Sequence, residues 1–289
     1  MTWCSIAMAR HASGDGAAVV QLLVDMEVRD VETLGRTRAN HMNVPQRTVL
    51  AATEVAFGSI QGWVGDRIYQ IVDFIRLYHE QHDVHGDIAE IGVHHGKLFV
   101  ILAAVARPDE TCVAVDVFED QQLNVDSSGN GSRAVFEGHL RTHFPDLLDR
   151  VKIIACDSMS ITPSTAAAKL SERGVRVFSI DGGHTVAHVV NDLSIAQELL
   201  VSSGVVLLDD FLGPMWPSVS EGFFKYMSIA NRRLAPILVF QNKLFLTTFS
   251  EHEQVLQGLR EYLDQIVGAE IHDRWRYSQL CGFQVLCFA

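Results

Sequence analysis

From residue 87 onward, short apolar segments alternate with single helical segments, and no other feature of the chain constrains its fold as much. DIAEIGV (87–93), TCVAVDVF (111–118), VKIIACD (151–157), VRVFSID (175–181) and GVVLLDD (204–210) read as strands. Between them lie KLFVILAAVA (97–106), RAVFEGHLRTHF (133–144), TPSTAAAKLSERG (162–174) and TVAHVVNDLSIAQELL (185–200), each helical in pattern. Strands joined through single helices imply right-handed crossovers and a parallel sheet. Strands this apolar fit a sheet covered on both faces. After the fifth unit the pattern changes. SVSEGFFKYMSIANRR (218–233) reads as another helix, and PILVFQNKLFLTTF (236–249) as a hairpin turning at Asn242-Lys243. An amphipathic helix from Glu251 and a last strand, GFQVLCFA, close the chain. The expected fold is α/β: a doubly wound, mostly parallel, seven-stranded sheet with an antiparallel C-terminal strand.

The domain expected to carry this sheet spans residues 66–289. It opens on the helix DRIYQIVDFIRLYHEQH, whose Ile68, Ile71, Val72, Ile75 and Tyr78 share one face. His79, His82 and His85 drift around that helix, so they read as its solvated end and not as a metal site. Residues 1–65 look helical but poorly patterned, and are expected to form an N-terminal extension that caps the domain or mediates assembly. QQLNVDSSGNGSRA (121–134) is rich in Gly, Ser and Asn and is expected to be a mobile loop.

Composition excludes several functions. With 23 basic against 35 acidic residues the formal charge is −12, which argues against nucleic-acid or anionic-membrane binding. There is no apolar run long enough to span a bilayer. Five cysteines without a CxxC pair fit free thiols in a reducing cytoplasm.

In sheets of this kind ligands bind beyond the C-terminal ends of the strands. The first strand ends Glu90-Ile91-Gly92-Val93-His94-His95-Gly96-Lys97. A dinucleotide fingerprint needs glycine where His94 stands, and a phosphate-binding loop needs another spacer and a hydroxyl where Leu98 stands. Acidic-x-Gly-x-x-x-Gly suits S-adenosylmethionine, which has no phosphate; an ordinary βα turn would also use these glycines. Asp116 ends the second strand, where a carboxylate can accept both ribose hydroxyls. Asp157-Ser158 ends the third, where Asp can accept from an adenine amino group. Glu90, Gly92, Gly96, Asp116, Asp157 and Ser158 are therefore the candidate cofactor residues.

The fourth strand ends Asp181-Gly182-Gly183-His184 and the fifth Asp209-Asp210. Carboxylates gathered at neighbouring strand tips repel one another, and a hard divalent cation such as Mg²⁺ would resolve the repulsion. His184 titrates in the range of a general base. Asp181 could instead cap the following helix, one of Asp209 and Asp210 could be structural, and His184 could be a loop residue bonded to backbone. The rigid segment Phe211–Pro217, with Trp216, could wall an acceptor pocket.

EIGVHHGK, VAVDVFED, IDGGHT, LLDDFLGPMWPSVSEG and NKLFLTT resemble the class I methyltransferases related to the macrocin and mycinamicin sugar O-methyltransferases. The resemblance covers about residues 85 to 250. It implies a Rossmann-like methyltransferase fold, a metal held at Asp181, Asp209 and Asp210, a base at His184 and homo-oligomers assembled through N-terminal regions. The expected activity is S-adenosylmethionine- and Mg²⁺-dependent O-methylation of a sugar hydroxyl in a glycosylated small molecule, a secondary metabolite or glycolipid. A metal-independent methyltransferase acting on a phenol or amine is the alternative, followed by an NAD-dependent oxidoreductase.

Overall fold

The computed structural model describes residues 48–266 and 275–288, all within the second of the chain's two compact units, 47–289. Residues 1–47 of the expected N-terminal extension lie outside the described residues. The rest of that extension holds helix α1 (Val49–Ser59), which Thr48 caps by accepting from the Ala51 N–H at 3.1 Å. Helix α2 (Ile68–Gln81) buries the five expected apolar residues together with Phe74 and His79.

The alternating elements follow in the anticipated order. They are β1 (Asp87–Ile91), α3 (Lys97–Ala103), β2 (Cys112–Asp116), α4 (Arg133–His143), β3 (Val151–Ala155), α5 (Pro163–Lys169), β4 (Val175–Ile180), α6 (Val186–Leu199), β5 (Leu200–Leu208) and α7 (Pro217–Met227). The C-terminal part contributes β6 (Leu234–Phe240), β7 (Lys243–Thr248), α8 (His252–Ile266), β8 (Trp275–Leu280) and β9 (Phe283–Phe288). The strands form one sheet in the order β3-β2-β1-β4-β5-β7-β6-β9-β8. The pairs among β1 to β5 are parallel, and β7 runs antiparallel to both β5 and β6. Residues of α1 to α4 and α8 bury one face of this sheet, and residues of α5 to α7 the other. The sheet is thus doubly wound. Beside β1 the order reverses, with β2 on one side and β4 on the other, and that reversal opens the crevice in which such sheets bind ligands.

Three details depart from the sequence reading. The strands read in the sequence are all present, GFQVLCFA as β9, but an unexpected β8 pairs with β9, so the sheet has nine strands and not seven. WRYSQL of β8 was not recognisable as a strand because most of it faces solvent at the sheet's edge and carries no apolar alternation. The β6–β7 hairpin turns at Gln241-Asn242, one residue earlier than expected, with Gln241 at φ 55°. The shift makes Lys243 the first residue of β7, opposite Phe240, and buries it. Finally, His79 is not solvated. Its Nδ1 lies 3.0 Å from Arg176 Nη1 and its Nε2 3.0 Å from the Ser203 carbonyl. Burial, then the Arg176 charge, lowers its pKa to about 3, so it is neutral, accepting from the guanidinium and donating to the carbonyl. Arg176, buried on β4, is held in turn by a bidentate pair with Glu110.

Candidate active site

The tips of β1, β2 and β3 make one wall of a cavity of about 570 Å³. Gly92 follows β1 at φ 89°, and a Cβ there would overlap the Asp181 carbonyl. Only glycine lets the β1 and β4 tips approach this closely. Gly96 caps α3 at φ 91° with the Phe136 ring packed beneath it; a Cβ would lie 2.5 Å from that ring. Gly96 therefore serves helix packing, and neither it nor Glu90 lines the cavity. Glu90 is buried within β1, where burial and then the Asp181 charge raise its pKa well above the usual range. Its Oε1 accepts from Ser179 Oγ at 3.2 Å and its Oε2 has no partner. Gly92, Asp116, Asp157 and Ser158 do line the cavity.

Each aspartate is held partly by its own turn and partly by a neighbouring element. Asp116 accepts from the His94 N–H at 2.7 Å and the Phe118 N–H at 2.6 Å. Burial raises its pKa, against the pull of those N–H groups. Asp157 accepts from the Met159 N–H at 2.8 Å and lies 3.2 Å from His188 Nε2. His94, at φ 54°, takes up the left-handed turn where a dinucleotide fingerprint has glycine. Its ring stacks on His95 and meets Trp63 at 5.4 Å.

The opposite wall is built from β4 and β5. Thr185 accepts from the His188 N–H and caps α6, so Asp181 is not the cap and lines the cavity instead. Strand β5 ends at Leu208. Asp210 then adopts φ 55°, which overrides the alternation of a continuing strand. Both aspartates consequently face one donor: Asn242 Nδ2 reaches Asp209 Oδ1 at 2.8 Å and Asp210 Oδ1 at 3.1 Å. Asp209 Oδ1 also accepts from the Asp210 N–H at 2.8 Å, and its Oδ2 accepts from buried Lys243.

His184 is clamped on every side. Its ring stacks on Trp216 at 4.4 Å and 15°. Its Nε2 lies 3.2 Å from Asp210 Oδ2 and 3.7 Å from Asp181 Oδ1. Its Nδ1 lies 2.8 Å from Asp126 Oδ2, which also accepts from the His184 N–H at 2.7 Å. Burial alone would lower the pKa of this imidazole; Asp181, Asp210 and Asp126 together hold it up at about 10. Burial would raise the Asp126 carboxyl, but bonds from Ser128 and His184 keep it at about 2. Burial and the neighbouring Asp209 push Asp181 upward.

The structure thus brings Asp181, His184 and Asp210 together, their ligand atoms all within 4.8 Å of one another. Asp209 stands behind them against Lys243. The sequence reading did not single out Asp126, His188, Asn242 or Lys243. Asp126 lies in the segment read as a mobile loop, which is tied down by Asn124 donating to the Ser128 carbonyl at 2.7 Å and by Asp126 itself. The acid in a Gly/Ser/Asn-rich stretch that follows β2 was the available signal.

Residues 89–211 match a family model described as a methyltransferase domain. That match covers less than half of the chain. The β1 to β5 tips that build the site fall within it, and Asn242 and Lys243 lie beyond it. Among solved structures, the O-methyltransferase NovP is 18% identical with a TM-score of 0.51, over 79% of this chain and 99% of that one. CalS11, a TDP-rhamnose 3′-O-methyltransferase of calicheamicin biosynthesis, is 17% identical with a TM-score of 0.45, over 73% of this chain and 98% of that one. The MycE methyltransferase, solved with Mg, SAH and mycinamycin VI, is 16% identical with a TM-score of 0.48, over 83% of this chain and 64% of that one. The likeness to NovP is one of fold. No curated protein matches the sequence. Among the described residues, no helix is long and apolar enough to cross a membrane.

Proposed function

We propose that the chain is an S-adenosylmethionine-dependent, Mg²⁺-assisted O-methyltransferase acting on a sugar hydroxyl of a glycosylated small molecule. The observation that carries this reading is the convergence of Asp181, His184 and Asp210 across one cavity from Gly92, Asp116 and Asp157. The glycine turn and the Asp116 carboxylate suit a nucleoside ribose, and Asp157-Ser158 an adenine edge. The oxygen-rich set of Asp181, Asp210 and Asp209 fits a hard divalent cation. When bound, such an ion would acidify a chelating hydroxyl and fix its line of attack.

The chain's own part in the transfer is proton handling and alignment. Asp126 takes the Nδ1 proton of His184, so Nε2 is the nitrogen turned to the carboxylate cluster. Asp181, Asp210 and Asp126 keep His184 protonated as the site stands. With that charge offset by a divalent cation held at Asp181 and Asp210, Nε2 is freed and would accept the acceptor's hydroxyl proton as the oxygen lone pair forms its bond to the methyl carbon. The carbon–sulfonium bond breaks in the same displacement, and the thioether leaves uncharged. Trp216 fixes the imidazole plane and excludes water from one of its faces. The N-terminal residues 1–65 are proposed to support a homo-oligomer, which rests on the family resemblance.

Calorimetric titration with S-adenosylhomocysteine, followed by methyl-transfer assays on a panel of glycosides with and without chelator, tests the reading. Tight cofactor binding and chelator-sensitive transfer to a glycoside are expected. Transfer that survives exhaustive chelation would point to the metal-independent alternative. Binding of NAD in place of S-adenosylhomocysteine would overturn the proposal.

A further inference from the structure

Lys243 is 1% exposed, an unusual place for a lysine, and nothing in the transfer step uses it. It opens β7, which pairs antiparallel with β5 so that Leu244 faces Leu208. Its ammonium is bonded to Asp209 Oδ2 and lies near the carboxyl groups of Asp181 and Asp210 and the buried carboxyl of Glu90. Four carboxyl groups, Glu90, Asp181, Asp209 and Asp210, thus stand around one buried monovalent cation. Packing alone does not call for this ion pair, because apolar residues of similar volume in place of both Lys243 and Asp209 would be about as stable.

We infer that Lys243 is a built-in counter-charge of the cation site: it occupies one oxygen of Asp209, offsets the cluster's negative charge and thereby keeps divalent-ion affinity low enough for exchange. The inference rests on the proposed cation site at Asp181 and Asp210. Two positive charges a few ångströms apart in a poorly screened interior repel. Lys243 also competes directly for Asp209, a potential ligand. Removing it should therefore tighten ion binding, whereas loss of a merely structural ion pair would lower stability without changing ion affinity.

The test is Mn²⁺ titration of the full-length protein, following the free-ion electron paramagnetic resonance signal. Wild type, Lys243→Met, Asp210→Asn, Asp209→Asn and the double variant Asp209→Asn/Lys243→Gln are compared. Lys243→Met should lower the Kd at least about tenfold, as expected for removing a buried cation beside the site. Should Lys243→Met fail to fold, the neutral double variant carries the test. It should bind at least about tenfold more tightly than Asp209→Asn alone, because the single variant leaves Lys243 charged and unpaired beside the ion. Unchanged or weaker binding in folded Lys243→Met, or equal binding by Asp209→Asn and the double variant, overturns the inference. Failure of the underlying reading looks different: wild type would bind no Mn²⁺, or Asp210→Asn would bind it as well as wild type.

Discussion

The two walls of the cavity are built by different means. On the side proposed to take the cofactor, Asp116 and Asp157 each accept an N–H of their own turn, Asp116 accepts a second from His94 in the adjoining β1 turn, and Asp157 lies against His188 of α6. On the opposite side, Asp181, His184, Asp209 and Asp210 are held by residues from distant segments: Asp126, Asn242 and Lys243. The first wall is a set of βα turns that any sheet of this type can form. The second exists only once the loop after β2 and the β6–β7 hairpin have docked. Substitutions should therefore divide cleanly, with those on the second wall removing turnover and those on the first removing cofactor or fold.

The largest effect is expected at His184 and Asp181. His184→Ala and Asp181→Ala should lower turnover by about 10²–10⁴-fold, the range of a lost general base or metal ligand. S-adenosylhomocysteine affinity, read calorimetrically, should stay within about threefold, since neither residue belongs to the turns on the other wall. Loss of cofactor binding in both variants would dissolve the division between the walls.

Asp126 sharpens the same comparison. Asp126→Ala removes the acceptor for both the His184 N–H and Nδ1, freeing the ring that Trp216 stacks on. Turnover should fall by about 10–100-fold with the KM for S-adenosylmethionine little changed, because orientation is lost but the base remains. Asp126→Asn keeps an acceptor oxygen and should retain more activity than Asp126→Ala. An Asp126→Ala variant with wild-type kcat would show that the loop only covers the site.

What the sequence made legible follows the same line. The strand–helix alternation and the tips Gly92, Asp116, Asp157, Asp181, His184 and Asp210 could be read because a βα turn is a local object with a fixed address. Asp126 and Lys243 could not, because their roles depend on contacts 58 and 34 residues away in the chain. The hairpin shows how little separates the two readings. With the turn placed one residue late, Lys243 belongs to an exposed loop; at its actual register it is among the most buried side chains of the domain. Strand β8 was missed for the opposite reason, since an edge strand with a wet face carries no hydrophobic period.

On the cofactor wall the sharpest test is Gly92→Ala. The new Cβ would meet the Asp181 carbonyl in a backbone conformation that disfavours any side chain. A loss of about 2–4 kcal/mol in unfolding free energy is expected from strain and displacement of the β4 tip. Unchanged denaturant midpoints would mean that the two strand tips separate at no cost.

The smallest expected effect lies beneath that wall and has the opposite sign. Asp192 on α6 is 1% exposed; Asn191 Nδ2 reaches its Oδ1 at 3.3 Å, and its Oδ2 has no partner. Burial pushes its carboxyl up to about 7, against hydrogen bonds from Ser158 and Asn191. Between about pH 4, where the unfolded chain releases this proton, and pH 7 the folded protein holds a proton that the unfolded chain has lost. Over that window stability contributed by this group falls as pH rises, and above pH 7 the whole penalty is present. Asp192→Asn cannot ionise, so it should stabilise the fold by about 1–3 kcal/mol at pH 8 and by little near pH 4. Urea unfolding of both proteins at the two pH values measures the difference. A gain independent of pH would mean that packing, not the buried charge, sets the cost of Asp192. A loss at pH 8 would mean that the ionised carboxylate supports Ser158 and, through it, the Asp157 turn.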